Sequence, residues 1–320
     1  MKHIRYISYG PLKTGGYRHE TLLYNSVVQF YRNIDQVNAE TIRRPRLFES
    51  FFSHLDLLLW GFLKSNADIN IVPARLAIPA ILRNYFNRSE VWIVLHNHDP
   101  NDGKSSSLNH YLNRLFNLLK KRSDSRFKII AVSPYWVNYF QNQLGLPNVH
   151  LFPNLFDTEI YKPYQQNEKY PWIHLGQFSS KNDPDILRLA GALTADGYYC
   201  YFSTLDPDKA MSHNGKFEVI CFHGFEDYLE QMSRSCCTLA LTQINEGWNR
   251  VAHESILVGT PVIGYNKGGL GDLMKASGSV VVRDIDEAYL AIKESLWVLP
   301  EIEFNSKYDQ SSGINYIANI

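Results

Sequence analysis

Short apolar runs of strand character alternate with amphipathic helical stretches twice along this chain. In the first half, Ile4–Tyr9, a weaker Gln36–Ile42, Asp68–Val72, Val91–Leu95 and Phe127–Val132 read as strands. Helical spacing fills the intervals: His19–Tyr31, a strongly apolar Leu47–Lys64, a stretch to about Tyr85, Leu108–Leu119 and Pro134–Leu144. Pro153-Asn154-Leu155-Phe156-Asp157 then leads into a polar, Pro-punctuated stretch, Tyr161–Asn167, read as a linker. The alternation resumes with strands at Trp172–Leu175, Tyr199–Ser203, Phe217–Phe222, Thr238–Thr242, Pro261–Gly264 and Ser279–Val282. Helices fall at Pro184–Asp196 and Asp286–Leu296. Strand–helix alternation predicts parallel, doubly wound sheets, and 320 residues suffice for two domains. The expected division is 1–155, 156–300 and a short polar tail, 301–320.

Several function classes are disfavoured by composition. Lys plus Arg and Asp plus Glu both number 32, so no basic excess points to nucleic acid. The four cysteines lack C-x-x-C spacing and read as reduced thiols in a cytoplasmic protein. The N-terminal segment lacks the apolar core of a signal peptide, and no run reaches the length of a membrane span.

Residues 246–269 carry the chemistry. Glu246 and Glu254 lie eight residues apart with the first turns of a helix between them, and Gly259-Thr260-Pro261 ends that helix. A helix starting near Trp248 would put Glu246 just before its N-terminus and Glu254 about two turns in, roughly 10–12 Å away at about 1.5 Å per residue. The unpaired N–H groups of the first turn fall between them and can hold an anion. Two hydroxyl-binding carboxylates flanking a phosphate cradle suit a sugar nucleotide.

This segment resembles the E-x7-E donor motif of retaining glycosyltransferases with the GT-B fold, in a Glu-Gly-aromatic, Gly-Thr-Pro-Val, Gly-Gly context. Other landmarks follow the family's order: Ile130–Pro134, Pro153–Asp157 with Leu155 in place of the usual Gly, Ile173–Gly176 with Lys181, and Phe222-His223-Gly224-Phe225. The resemblance covers most of the chain. It implies an α/β GT-B architecture, with two Rossmann-like domains facing a cleft, the first binding acceptor and the second the nucleotide sugar. The implied activity is metal-independent transfer of a hexose-type sugar from a UDP- or GDP-linked donor to a glycan, lipid-linked or other hydroxyl acceptor, as in polysaccharide biosynthesis. No cofactor beyond that co-substrate is implied.

Residue roles carry over by position. Glu246 would hold the transferred sugar's hydroxyls and Glu254 the ribose. Lys181 would meet the diphosphate, and Gln177, Gly247, Trp248, Asn249 and Arg250 would belong to the donor site. Gly224 and Phe225 would border the base. Gly15 and Gly16, read as a loop after the first strand, would bring backbone near the phosphates. His96 would contact the donor sugar or reaction centre, with His98 and Asp99 as its nearest alternates. The family's Arg position holds Gln177, which removes a permanent charge and a bidentate fork; Arg250 and Lys267 are the nearest cations in sequence.

Other readings follow from particular residues. Gln177 also suits a catalytically impaired protein that binds nucleotide sugar or serves as a partner subunit. Asp183-Pro184-Asp185 and Asp206-Pro207-Asp208 match a metal-binding D-x-D pattern, and His96-Asn97-His98 with Asp99 a zinc site. Leu108–Leu119, ending in Lys120-Lys121-Arg122, offers peripheral contact with the inner face of a membrane.

Overall fold

The computed structural model describes residues 1–9, 15–44, 67–98, 106–165, 167–213, 215–296 and 302–320. The apolar stretch Leu47–Lys64, Lys13 and Asp99 lie outside them. The chain forms two compact units: Met1–Leu155 together with Gln310–Ile320, and Phe156–Asp309.

Unit 1 holds a six-stranded parallel sheet in the order β2-β1-β3-β4-β5-β6. The strands are β1 (Lys2–Tyr9), β2 (Val37–Arg44), β3 (Ile69–Pro73), β4 (Glu90–Leu95), β5 (Phe127–Ala131) and β6 (Val149–Leu151). Val91 through Leu95 are all essentially inaccessible, as expected of a parallel strand covered on both faces. Helices α1 (Gly15–Arg32), α2 (Ala77–Asn87), α3 (Ser106–Arg122) and the short α4 (Pro134–Asn138) connect the strands. Gly15 and Gly16 are therefore the first residues of α1 rather than a loop.

Unit 2 holds a seven-stranded sheet in the order β13-β12-β11-β7-β8-β10-β9. Its strands are β7 (Tyr170–Gln177), β8 (Tyr199–Thr204), β9 (Met211–His213), β10 (Phe217–Cys221), β11 (Ser235–Ala240), β12 (Val262–Tyr265) and β13 (Val280–Val282). Among the described residues of this sheet, only the edge strand β9 runs antiparallel. The helices are α5 (Ile186–Ala195), α6 (Phe225–Arg234), α7 (Arg250–Leu257), α8 (Gly268–Ala276), α9 (Ile285–Lys293) and α10 (Ile302–Lys307).

Three expectations are corrected. Strand β11 begins at Ser235, not Thr238, and ends at Ala240. Beyond it the chain turns to pair with the loop after β7, where Asp183 N donates to Leu241 O at 2.8 Å and Asn182 bridges Thr242. The stretch Tyr161–Asn167 is no free linker: Thr158–Tyr164 forms a 3-10 turn whose Tyr161 is buried with Phe156, Leu229 and Met232. Nor is 301–320 a tail. Phe304 and Tyr308 are buried in unit 2, and α11 (Gly313–Ala318) packs on α1, placing Ile317 in the unit 1 core. A Cβ at Gly313 would lie 2.2 Å from Ser26 Oγ. Glycine there is what lets the two helices approach.

Two histidines are buried in unit 2. His174 on β7 lies 3.1 Å from Ser203 Oγ through Nε2 and stacks on Tyr201. Burial pushes its pKa down to about 3. Burial, reinforced by Arg250, drives that of His253 well below the ordinary imidazole range. Both stay neutral in the fold but take up protons in the unfolded chain below about pH 6.5. The unfolded form then binds more protons, so stability is full above that pH and is lost as pH falls through it. Thermal denaturation between pH 7 and 4 should show stability falling, by up to about 1.4 kcal/mol per pH unit for each histidine. His174→Gln should flatten the slope; an unchanged slope in that variant contradicts the assignment.

Candidate functional site

The order of the unit 2 sheet reverses at its centre: the chain steps outward from β7 through β8 to β10, then restarts at β11 on the other side. Loops leave the carboxyl ends of β7 and β11 there, and such a switch point is where open α/β sheets form ligand crevices. The loop after β7 carries Lys181, and the loop after β11 carries Glu246 through Asn249.

Main-chain bonds tie these loops together. Gln243 N donates to Lys181 O at 2.8 Å, and Gly269 N donates to Glu246 O at 2.8 Å. Gly268, which opens α8, has φ +56°. A Cβ on it would stand 2.6 Å from Glu246 O and 2.9 Å from Asn245 C, so only glycine permits this approach. Thus Gly268-Gly269 props the backbone that presents Glu246. The Glu246 carboxylate faces Lys181 Nζ at 3.9 Å, with Lys181 half exposed and Glu246 17% exposed. Lys267 Nζ donates to Gln243 O at 3.1 Å and to its Oε1 at 3.0 Å, so a second ammonium borders the same loop.

Helix α7 starts at Arg250 rather than near Trp248, because Asn249 caps it: its Oδ1 accepts from Ala252 N at 2.9 Å. Glu254 is consequently the fifth helical residue, little more than one turn in. It is 6% exposed. Its Oε1 lies 3.7 Å from the Arg250 guanidinium, and its Oε2 accepts from Tyr228 OH at 3.3 Å. Arg250 also lies over the Phe156 ring at 4.2 Å. Burial first, and the Glu254 charge second, push the Tyr228 pKa well above the phenol range, so this tyrosine remains a donor.

The sequence-selected residues divide accordingly. Lys181 and Glu246 meet, as do Arg250 and Glu254, with Gly247 and Asn249 between them along the motif. Gln177 ends β7 and is exposed; its carbonyl accepts from Asn182 Nδ2 at 2.9 Å. Gly224 is exposed at the start of α6, and Phe225 packs near Tyr161 and Tyr228. Trp248 turns inward: it is 6% exposed, donates to His253 Nδ1 at 3.0 Å and packs on Tyr308. Tyr228 was missed by sequence reasoning. Its α6 is polar enough to hide among loops, and only its ring-rich neighbourhood, Phe222 to Tyr228, offered a signal.

His96 and the two glycines lie in unit 1. His96 follows β4, its side chain one-third exposed, with Nε2 3.2 Å from Glu20 Oε1. His98 is buried instead, bonding Tyr139 OH at 3.1 Å and meeting Phe116 edge-on. The D-x-D aspartates have local work: Asp183 Oδ2 accepts from Tyr265 OH at 2.7 Å, and Asp206 caps the turn at Asp208. Among the described residues, no three His, Cys, Asp or Glu gather as metal ligands, and no helix is long and apolar enough to cross a membrane.

No family model and no curated protein matches this chain. Among solved structures it is similar to Anabaena Alr3699/HepE in complex with UDP-glucose, with TM-score 0.72 and 16% identity, covering 100% of this chain and 99% of that one. It is also similar to sucrose-phosphate synthase from Thermosynechococcus elongatus, with TM-score 0.69, 15% identity and coverage of 100% and 94%. A third likeness is to AviGT4, a glycosyltransferase involved in avilamycin A biosynthesis, with TM-score 0.58, 14% identity and coverage of 100% and 96%. At these identities the likeness establishes the fold along the whole chain: two parallel-sheet α/β units of the GT-B type.

The Gly268 contact is testable against a control. Gly278 also has positive φ, +65°, but open space where its Cβ would point. Gly278→Ala should therefore cost only the backbone penalty, about 1–2 kcal/mol. Gly268→Ala adds a backbone clash and should cost at least about 1 kcal/mol more. Urea denaturation midpoints measure both; equal losses would mean that Glu246 is not held by this approach.

Proposed function

We propose that this protein is a retaining glycosyltransferase that moves a hexose-type sugar from a nucleoside-diphosphate donor to a hydroxyl acceptor without a metal ion. The observation that carries this reading is the pairing at the β7–β11 switch point, where Lys181 faces Glu246 at 3.9 Å and the amides opening α7 lie between Glu246 and Glu254 along the motif. HepE, similar over its whole length, holds UDP-glucose, which favours a UDP-linked donor over a GDP-linked one.

Each residue then has a chemical task. Glu254, braced by Tyr228, accepts from the ribose hydroxyls. Lys181, the first-turn N–H groups of α7 and Arg250 meet the diphosphate. Glu246 accepts from hydroxyls of the sugar, and Gly224 with Phe225 borders the base. Breaking the bond between the anomeric carbon and the phosphate oxygen leaves negative charge on the diphosphate, so donors fixed there in advance lower the barrier. The acceptor oxygen forms its new bond on the same face, and its proton passes to the departing phosphate. His96, carried by unit 1 with the acceptor-binding role, hydrogen-bonds the sugar near that carbon. The cationic last turn of α3, Lys120-Lys121-Arg122, fits an acceptor presented at an anionic membrane surface.

Gln177 favours a second reading, a donor-binding protein with impaired turnover, because the family's guanidinium is absent there. Donor hydrolysis and transfer assays separate the two: tight binding with no turnover supports the second.

Two measurements test the first reading. In a thermal-shift panel of nucleotides and nucleotide sugars, UDP and UDP-hexoses should raise the melting temperature more than GDP counterparts, since a ligand of the folded state stabilises it. Glu246→Gln should lower kcat by roughly 10²–10³-fold with little change in UDP affinity, whereas Glu254→Gln should weaken UDP binding by about tenfold. Equal effects of the two substitutions on binding and turnover would undo the division of roles.

A further inference from the structure

Unit 1 contains a buried carboxylate that the roles above leave unused. Glu20 is the sixth residue of α1 and is 7% exposed. Its Oε2 accepts from the Tyr6 hydroxyl of β1 at 2.8 Å, and its Oε1 lies 3.2 Å from His96 Nε2. Taking a carboxylate out of water costs several kcal/mol unless its oxygens are hydrogen-bonded. Helix α1 could pack on the sheet with an apolar residue there, as it does through Leu23 and Val27. The carboxylate is retained where each oxygen meets one named donor, and one donor is the ring expected at the reaction centre.

A carboxylate only accepts, so this contact sets the proton on Nε2 of His96 and leaves the lone pair on Nδ1. Packing supports the same orientation. His19, fully buried, meets the His96 ring edge-on at 5.3 Å and is itself backed by Phe152 at 5.5 Å.

We propose that Glu20 is a positioning residue for His96: it fixes the Nε2-protonated tautomer, so that Nδ1 accepts a hydrogen bond from a hydroxyl of the sugar substrate. The inference rests on the reading of His96 given above. Tyr6 holds the carboxylate in turn, making a chain from β1 through α1 to the end of β4.

Two independent readouts test it. Nitrogen-15 NMR of the full-length protein at about pH 8.5, above the usual imidazole range, reports which ring nitrogen of His96 is protonated; His96→Gln identifies its signals. Nε2 should carry the proton in the parent chain, and Glu20→Ala should populate the other tautomer. An unchanged tautomer in Glu20→Ala overturns the proposal. In transfer assays, Glu20→Gln should lower kcat by about 10- to 100-fold with donor KM within about twofold, milder than the loss when a triad carboxylate is neutralised. Combined with His96→Ala, it should cost no more than His96→Ala alone, since both act through one ring. Losses that multiply would mean that Glu20 acts elsewhere or only supports the fold. If the parent chain transfers no sugar, the transferase reading fails, while the ring-nitrogen measurement still decides the role of Glu20.

Discussion

Everything in the candidate site hangs on how closely two stretches of backbone approach at the centre of the unit 2 sheet. Gly268, in a left-handed conformation, touches the main chain of Asn245 and Glu246, and Gly269 N–H bonds the Glu246 carbonyl. On the other side, Gln243 N–H bonds the Lys181 carbonyl. Loops from β7, β11 and β12 are thereby fastened through peptide groups, each bond contributing on the order of 1 kcal/mol. The Glu246 Cα is thereby placed by main-chain contacts, and Thr242 Oγ1 donates to its Oε1 at 3.5 Å. Sites held in this way lose little on binding, since the ordering is complete in the folded chain.

The charges around that scaffold differ in how firmly they are held. Lys181 is half exposed, and its 3.9 Å contact with Glu246 is of the kind that contributes little to stability. Its ammonium can therefore turn to an incoming phosphate at small cost. Arg250 is different: only 15% exposed, it is shared between Glu254 and the Phe156 ring. Leaving either partner of that buried pair alone would be costly. In the proposed function both cations meet the diphosphate, Lys181 as a mobile one and Arg250 as a fixed one that also braces Glu254. This also offers compensation for Gln177.

Much of this was legible in the sequence because it is local. The strand alternation and the spacing of Glu246, Glu254 and Gly268-Gly269 follow from chain neighbours. The start of α7 was placed two residues too early because Asn249 supplies the cap and the helix begins at Arg250. Helices α6 and α8 escaped notice, one being acidic and polar, the other glycine-rich. The return of residues 310–320 to unit 1 rests on Gly313 meeting Ser26, a contact between positions far apart in sequence that no periodicity reveals. Tyr228 and Glu20 share that invisibility: each matters through one hydrogen bond to a distant side chain.

The central claim, that Glu246 and Glu254 grip opposite ends of a nucleoside-diphosphate sugar, is tested most directly by a crystal structure of the chain with UDP-glucose. Hydrogen bonds from Glu254 to the ribose and from Glu246 to the glucose, with the diphosphate against the first turn of α7, are the predicted result. A ligand seated elsewhere, with both carboxylates turned to solvent, would contradict it.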